Sequence, residues 1–389
     1  MRRVAFLTTG LKMGERRHMV GAYVALFTRH RRSGGLSLMR RVAFPITGLE
    51  RGGAELQLIE LAGALRNSGW DVAVFALRRG PLAEELTKRG VAVPPLHRLI
   101  AFRPHVLHAH LFHANIAGRI ARLFLPVPVV ISTVHSLAES SRRGAEVRHR
   151  DLVYRITGAL SDATVFVSTA AANRHLEASA VTAARTHVIP NGVDTDRFRP
   201  DPERRARTRR DLGLGDEFVW LAAGRLMWKK NYPMLLRAME RQPRSVLLIA
   251  GAGPDEAQLR SIAPSSVRFL GARTDVPELM NAADGLVLSS TVEGLPMVLL
   301  EAAASGLPCV ATAVGGVAEA VLADRTGYLV SPGDTDALTH AMRLLSVLPP
   351  ADREIMSREA REYALARFDL RAIVEQWEHL YRALLAQEP

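Results

Sequence analysis

From residue 39 onward, short, mainly apolar runs alternate with stretches of helical spacing, and the whole alternation occurs twice. The first series places strands at residues 42–44, 71–76, 106–110, 127–133 and 163–168, separated by helices at 54–66, 81–88, 115–122 and 151–160. The second series restarts at 219–223 and continues through 246–250, 267–270, 285–289, 309–312 and 327–330. Strands without polar alternation are buried on both faces, and a parallel neighbour is reached only through a crossover, usually a helix. The sequence therefore predicts an α/β protein of two tandem Rossmann-like domains facing across a central cleft. A charged, Pro-bounded stretch after Pro190-Asn191-Gly192-Val193-Asp194 marks the change of domain. The expected division is 39–192 for the first domain, 193–369 for the second, and a closing helix within 370–389 that packs back onto the first. A chain of 389 residues is long enough to bury two such cores.

Residues 1–38 stand outside this pattern. Residues 1–11 recur at 39–49 with nine identities in eleven, but only the second copy runs on into Gly52-Gly53-Ala54-Glu55 and a long amphipathic helix. The upstream copy is expected to be a basic extension outside the working fold. It carries eight Lys or Arg against one Glu, so it supplies +7 of the formal +12. Elsewhere the positive charge is nearly all Arg, and aromatic side chains do not interleave with it as a nucleic-acid stacking platform requires. Attraction to an anionic substrate or membrane surface is expected in preference to nucleic-acid binding. No apolar stretch approaches the roughly 20 residues of a membrane span. The single Cys309 excludes an internal disulfide and suits a reducing compartment, so a cytoplasmic protein is expected, with peripheral contact at the inner membrane face as a further expectation. Pro45 is awkward in a strand interior and is expected at a strand end.

Ligands of such sheets bind beyond the carboxyl ends of the strands, and several chemically loaded segments fall there. Glu293-Gly294-Leu295-Pro296 leads into the apolar run containing Glu301. This puts Glu293 on a loop, Glu301 about two turns into a helix, and unpaired amides around Met297, Val298 and Leu299 between them, an anion site. Gly224-Arg225-Leu226-Met227-Trp228-Lys229-Lys230 follows the first strand of the second series and holds two of the four lysines of the chain. Arg225 and Lys230 are candidate diphosphate ligands, one a planar fork and the other a point charge. Gly52 and Gly53 allow close backbone approach before a helix. Gly253 and Arg273 sit at further strand ends, on the expected nucleoside side. His135 ends a buried-type strand and is placed to meet a sugar hydroxyl or the reacting centre, although a core or capping histidine fits equally. His108, His110 and His113 lack an accompanying acidic or cysteine ligand, and no metal site is expected.

Taken together, Glu293-x7-Glu301, Gly224-Arg225-Leu226 with Lys230, Pro190-Asn191-Gly192-Val193-Asp194 and Gly52-Gly53-Ala54-Glu55 resemble the GT-B glycosyltransferases of family 4, the group 1 type. The resemblance spans residues 39 to about 385. It implies retaining transfer of a sugar from a nucleotide-diphosphate donor to a saccharide or lipid-linked acceptor in polysaccharide or glycoconjugate synthesis, without a cofactor or metal ion. In that reading Glu301 binds the donor ribose, Arg225 and Lys230 neutralise the diphosphate, Glu293 holds the sugar hydroxyls, and His135 lies near the reacting sugar. Two other readings share the architecture: a sugar-nucleotide epimerase, which needs no acceptor, and a binding protein without catalysis.

Overall fold

The structure is a computed structural model that describes residues 40–136 and 144–387; the duplicated extension at 1–38 lies outside the described residues. The first sheet comprises β1 (Arg41–Gly48), β2 (Asp71–Arg78), β3 (Val106–His110), β4 (Val129–Val134), β5 (Ala163–Phe166) and β6 (Thr186–Val188). The second comprises β7 (Phe218–Ala223), β8 (Ser245–Ala250), β9 (Val267–Gly271), β10 (Gly285–Leu288), β11 (Cys309–Thr312) and β12 (Gly327–Val330). All pairings within both sheets are parallel. The short β6 has no counterpart in the expected strands, because three half-exposed residues give no apolar run.

Strand order explains where a ligand belongs. The first sheet runs β2-β1-β3-β4-β5-β6, and the second runs β12-β11-β10-β7-β8-β9. Winding direction reverses between β1 and β3 in one sheet and between β7 and β10 in the other, and a crevice opens at each such switch point. Loops from both crevices meet in the interdomain cleft.

Pro45 lies in the middle of β1, an interior strand, rather than at its end. Pairing to β2 continues through it, Pro45 opposite Phe75. The register to β3 holds at Val42–Val106 and Ala43–Leu107 and resumes only at Ile46–His110, skipping Phe44 and Pro45. An interrupted ladder accommodates a residue with no N–H to donate.

The chain crosses between domains twice, and the two crossings bond to each other. The Val193 amide donates to Phe368 O at 2.8 Å and the Leu370 amide to Val193 O at 3.0 Å. Gly192 lies against Leu370 and Ile373, where a Cβ would stand 3.0–3.2 Å from their atoms. Beyond this crossing the amphipathic helix Leu370–Ala386 lays Ile373, Val374, Trp377, Leu380 and Tyr381 into the same core as Val42, Phe44, Val106 and Ile131. The last helix thus completes the first domain. Among the described residues no helix is long and apolar enough to cross a membrane.

Candidate active site

On the second-domain side, the loop after β7 and the loop after β10 are stitched together. Thr291 donates its amide to Lys229 O at 2.8 Å, and Ser289 Oγ donates to Lys230 O at 2.8 Å. This brings Lys230 Nζ to 2.6 Å from Glu293 Oε1, which also accepts from Ser290 Oγ at 2.6 Å. Both side chains are largely shielded, at 15% and 11% exposure, so the pair interacts in a reduced dielectric. Arg225 is exposed and makes no hydrogen bond or ion pair among the described residues. Burial holds the Lys229 ammonium below its ordinary range, an effect that Glu293 and Glu55 oppose. Three cations therefore crowd one crevice in which Glu293 is the directly bonded acid.

The helix that follows is Met297–Ala304, capped by Pro296. Glu301 is its fifth residue, so it lies little more than one turn in, not two. Leu299 spends its amide on Pro296 O at 3.1 Å, which leaves the Met297 and Val298 amides without a partner among the described residues, the orphan donors of this helix start. The Glu301 carboxyl is pushed up to about 7 by burial; Arg197 opposes this and Glu60, on the facing first-domain helix Gly53–Asn67, reinforces it. Its carboxylate makes no hydrogen bond among the described residues.

On the first-domain side the rim is neutral. His108 is fully buried, its Nδ1 2.6 Å from Tyr381 OH and its Nε2 2.6 Å from Thr133 Oγ1. His110 Nδ1 is 2.9 Å from His135 Nε2, and the two rings stack at 5.1 Å. Burial depresses all three imidazoles, His135 to about 4, so they are uncharged at neutral pH. The ring nitrogens of His108 are thus committed to hydroxyls, and His110 and His135 bond each other.

Close backbone approach joins the two rims. A Cβ on Gly294 would fall 2.0 Å from His135 O, so only glycine lets the Glu293 loop lie on the end of β4. A Cβ on Gly53 would stand 3.8 Å from the Met297 side chain. Across the cleft Asn191 Nδ2 donates to Leu295 O at 2.8 Å, while within the second domain the Gly316 amide donates to Gly294 O at 2.8 Å and holds the loop. Glu293, Lys230, Met297 and His135 consequently share one cleft.

Two family models match the chain: "Glycosyltransferase Family 4" over residues 51–197 and "Glycosyl transferases group 1" over residues 217–346. A Mycobacterium tuberculosis glycogen synthase is 31% identical over 336 residues, covering 81% of this chain and 77% of that protein. The chain is a group 1, family 4 glycosyltransferase. An Escherichia coli UDP-Gal:alpha-D-GlcNAc-diphosphoundecaprenol alpha-1,3-galactosyltransferase is 27% identical over 373 residues, covering 86% of this chain and 94% of the relative. Among solved structures, Anabaena HepE in complex with UDP-glucose superposes with a TM-score of 0.79 at 23% identity, covering 88% of this chain and 99% of that one. At that identity the likeness speaks for the GT-B fold alone.

The remaining expected residues of this glycosyltransferase have more local partners. Gly253 lets two loops cross, since a Cβ there would stand 2.1 Å from Leu226 O. Arg273 is held by Asp275, at 2.7 Å from Nε to Oδ1, so its guanidinium is already occupied. Gly52 precedes the Gly53–Asn67 helix, and a Cβ on it would meet Glu55 Oε2 at 2.4 Å. Glu55, Lys229 and Ser290 were not singled out from sequence. Glu55 stands in a motif quoted above, and its carboxyl is pushed up by burial against the pull of its own amide, Lys229 and Arg225. Ser290 has no distinguishing signal beyond its position three residues before Glu293. A separate cavity of about 570 Å³, lined by Arg205, Arg209, Phe218, Arg244 and Arg353 among others, opens at the amino ends of β7 and β8, opposite to the cleft. Arg205 and Arg209 clamp Asp284 there, at 2.6 and 3.2 Å, which makes that cavity the wall of a structural joint.

Proposed function

We propose that the enzyme transfers a sugar from a nucleoside-diphosphate sugar to a hydroxyl of a saccharide or lipid-linked acceptor, with retention at the anomeric carbon and without a metal ion. The observation that carries this reading is the Lys230–Glu293 pair beside the open helix start at Met297, faced across the cleft by His135. Negative charge builds on the diphosphate as the glycosidic bond breaks, and fixed cations aimed at it stabilise the transition state more than the ground state. Arg225, Lys230 and the Met297 and Val298 amides supply that field. Glu293 then takes the donor sugar's hydroxyls and Glu301 the ribose. His135 contributes a neutral nitrogen on the acceptor side. Retaining glycosidases set two carboxylates about 5 Å apart around the bond, whereas Glu293 and Glu301 belong to the two ends of the donor. A front-face course, in which the departing phosphate accepts the acceptor's proton, follows. The names of related proteins, a UDP-galactose transferase acting on a diphosphoundecaprenol-linked sugar and a structure bound to UDP-glucose, support this choice, and these relatives are transferases or synthases, not epimerases.

The test is a screen of UDP-, GDP- and ADP-sugars with saccharide and lipid-linked acceptors, with the product's anomeric coupling read by NMR and the assay repeated in EDTA. Retained configuration and EDTA-insensitive turnover are expected. An inverted product, a glycosyl adduct on Glu293 or His135, or isomerisation of the donor without any acceptor would overturn the reading. Vesicles with anionic lipid, compared with neutral ones, test the membrane-presented acceptor.

A further inference from the structure

The first-domain rim carries one hydrogen bond that the proposed chemistry does not yet use. His110, 1% exposed at the end of β3, is wedged between rings: Phe44 at 5.6 Å, His108 at 4.3 Å and His135 at 5.1 Å. Its neighbour His108 is pinned at both nitrogens, so the stack has little freedom to turn. Leu111, directly after it, has φ 70°, a conformation that costs a non-glycine residue energy and that the surrounding structure must enforce. Two nitrogens of this assembly, His110 Nε2 and His135 Nδ1, are buried with no partner among the described residues. Such orphans are rare in folded proteins unless something else binds them.

We infer that His110 is the positioning residue for His135, setting through the Nδ1–Nε2 hydrogen bond which tautomer His135 presents to the sugar. This rests on the placement of His135 proposed above. A neutral imidazole carries one proton, and the nitrogen left free is fixed by the bond the other makes. If His110 donates, His135 Nε2 accepts and its Nδ1 keeps the proton, offering a donor to the substrate. If His135 donates, its Nδ1 is a bare acceptor. In either arrangement the two free nitrogens of the pair are opposite in kind, and a change at His110 changes what His135 can bind. Burial keeps both rings neutral, so the arrangement persists across the physiological range.

The test uses the full chain labelled with ¹⁵N-histidine, together with His110→Phe and His110→Asn. Long-range ¹H–¹⁵N spectra should show one His135 tautomer in the wild type, a mixture or the other tautomer in H110F, and recovery in H110N, whose amide can supply a polar atom near the place of Nδ1. Turnover should fall roughly 10- to 100-fold in H110F, the scale on which partners that orient a functional histidine act, while calorimetric affinity for UDP, GDP or ADP, whichever binds, stays at the wild-type value. Melting curves confirm that each variant is folded. H110F with unchanged His135 signals and wild-type turnover would overturn the inference. Wild-type turnover in His135→Asn would instead remove the proposed role of His135, and the ring spectra, which need no substrate, would separate the two failures.

Discussion

The two walls of the cleft solve different electrostatic problems. The second-domain wall concentrates charge: Arg225, Lys229 and Lys230 around Glu293, with Arg225 left exposed and unpaired among the described residues. The first-domain wall is built of neutral, stacked histidines held by Thr133 and Tyr381. A diphosphate leaving group needs compensating charge, and a charged wall placed before it arrives avoids reorganisation later. A sugar hydroxyl needs only a neutral donor or acceptor, and a buried charge opposite it would add a desolvation cost without benefit. In the proposed reaction the bond that breaks lies between the two, so each wall can be disabled separately.

Removing charge from the second wall should have the largest effect. Lys230→Ala deletes the cation bonded to Glu293, and the loss of one such preorganised group costs about 10²–10³ in turnover. Nucleoside-diphosphate affinity, read by calorimetry, should fall with it, because the charge also acts on the bound ground state. A K230A enzyme with normal turnover and affinity would remove the lysine from the donor site.

Pushing the walls apart without altering either one should come next. Gly294→Ala places a methyl 2.0 Å from His135 O, closer than any real contact, so the Glu293 loop and the end of β4 must separate. A displacement of about 1 Å at a reacting centre can cost about 10²-fold. Turnover should fall on that scale while nucleotide affinity, a property of the second wall, changes little. Equal losses of affinity and turnover would show that the apposition serves donor binding and not alignment.

The same contrast explains what the sequence disclosed. Strands such as Gly285–Leu288 and Cys309–Thr312 were legible because a strand buried on both faces reads as a nearly unbroken apolar run. The second wall was legible because the residues that meet there are unusual ones, two lysines in an Arg-rich chain and an acid beside Gly-Leu-Pro. The first wall was quiet. His108, His110 and His135 look like any core histidines until β3 and β4 align in register, and Tyr381 reaches them from the other end of the chain. Glu55 and Ser290 were illegible because their meaning comes from loops that meet only after folding.

Glu301 gives a pH-dependent contrast of intermediate size. Its folded carboxyl titrates near 7, above the ordinary 4.5, because burial and Glu60 disfavour the charge. The sign follows directly: between pH 4.5 and 7 the folded state binds more protons than the unfolded one, so this residue's contribution falls as pH rises and is fully unfavourable above 7. Glu301→Gln should therefore melt higher than wild type at pH 8 and equal to it near pH 4.5, while donor affinity weakens where the carboxylate binds ribose. A melting difference independent of pH would assign Glu301 an ordinary solvated role.

The smallest effect should come from a contact that holds the walls together from outside the chemistry. Glu319, in the second domain, accepts the amides of Thr169 and Ala170 at 2.9 Å each, capping the first-domain helix Thr169–Glu177. Tyr363 OH fixes the same segment by donating to Glu319 O at 2.9 Å. A carboxylate at a helix start is worth about 0.5–2 kcal/mol, and this one can act only when the domains are closed. Glu319→Ala should thus raise the donor KM less than tenfold and enlarge the radius of gyration measured by small-angle scattering without ligand, with kcat at saturating donor nearly unchanged. Glu319→Gln, which keeps an accepting oxygen but no charge, should fall between them. If E319A instead lowered kcat at saturation, closure would be part of the chemical step and not only of donor capture.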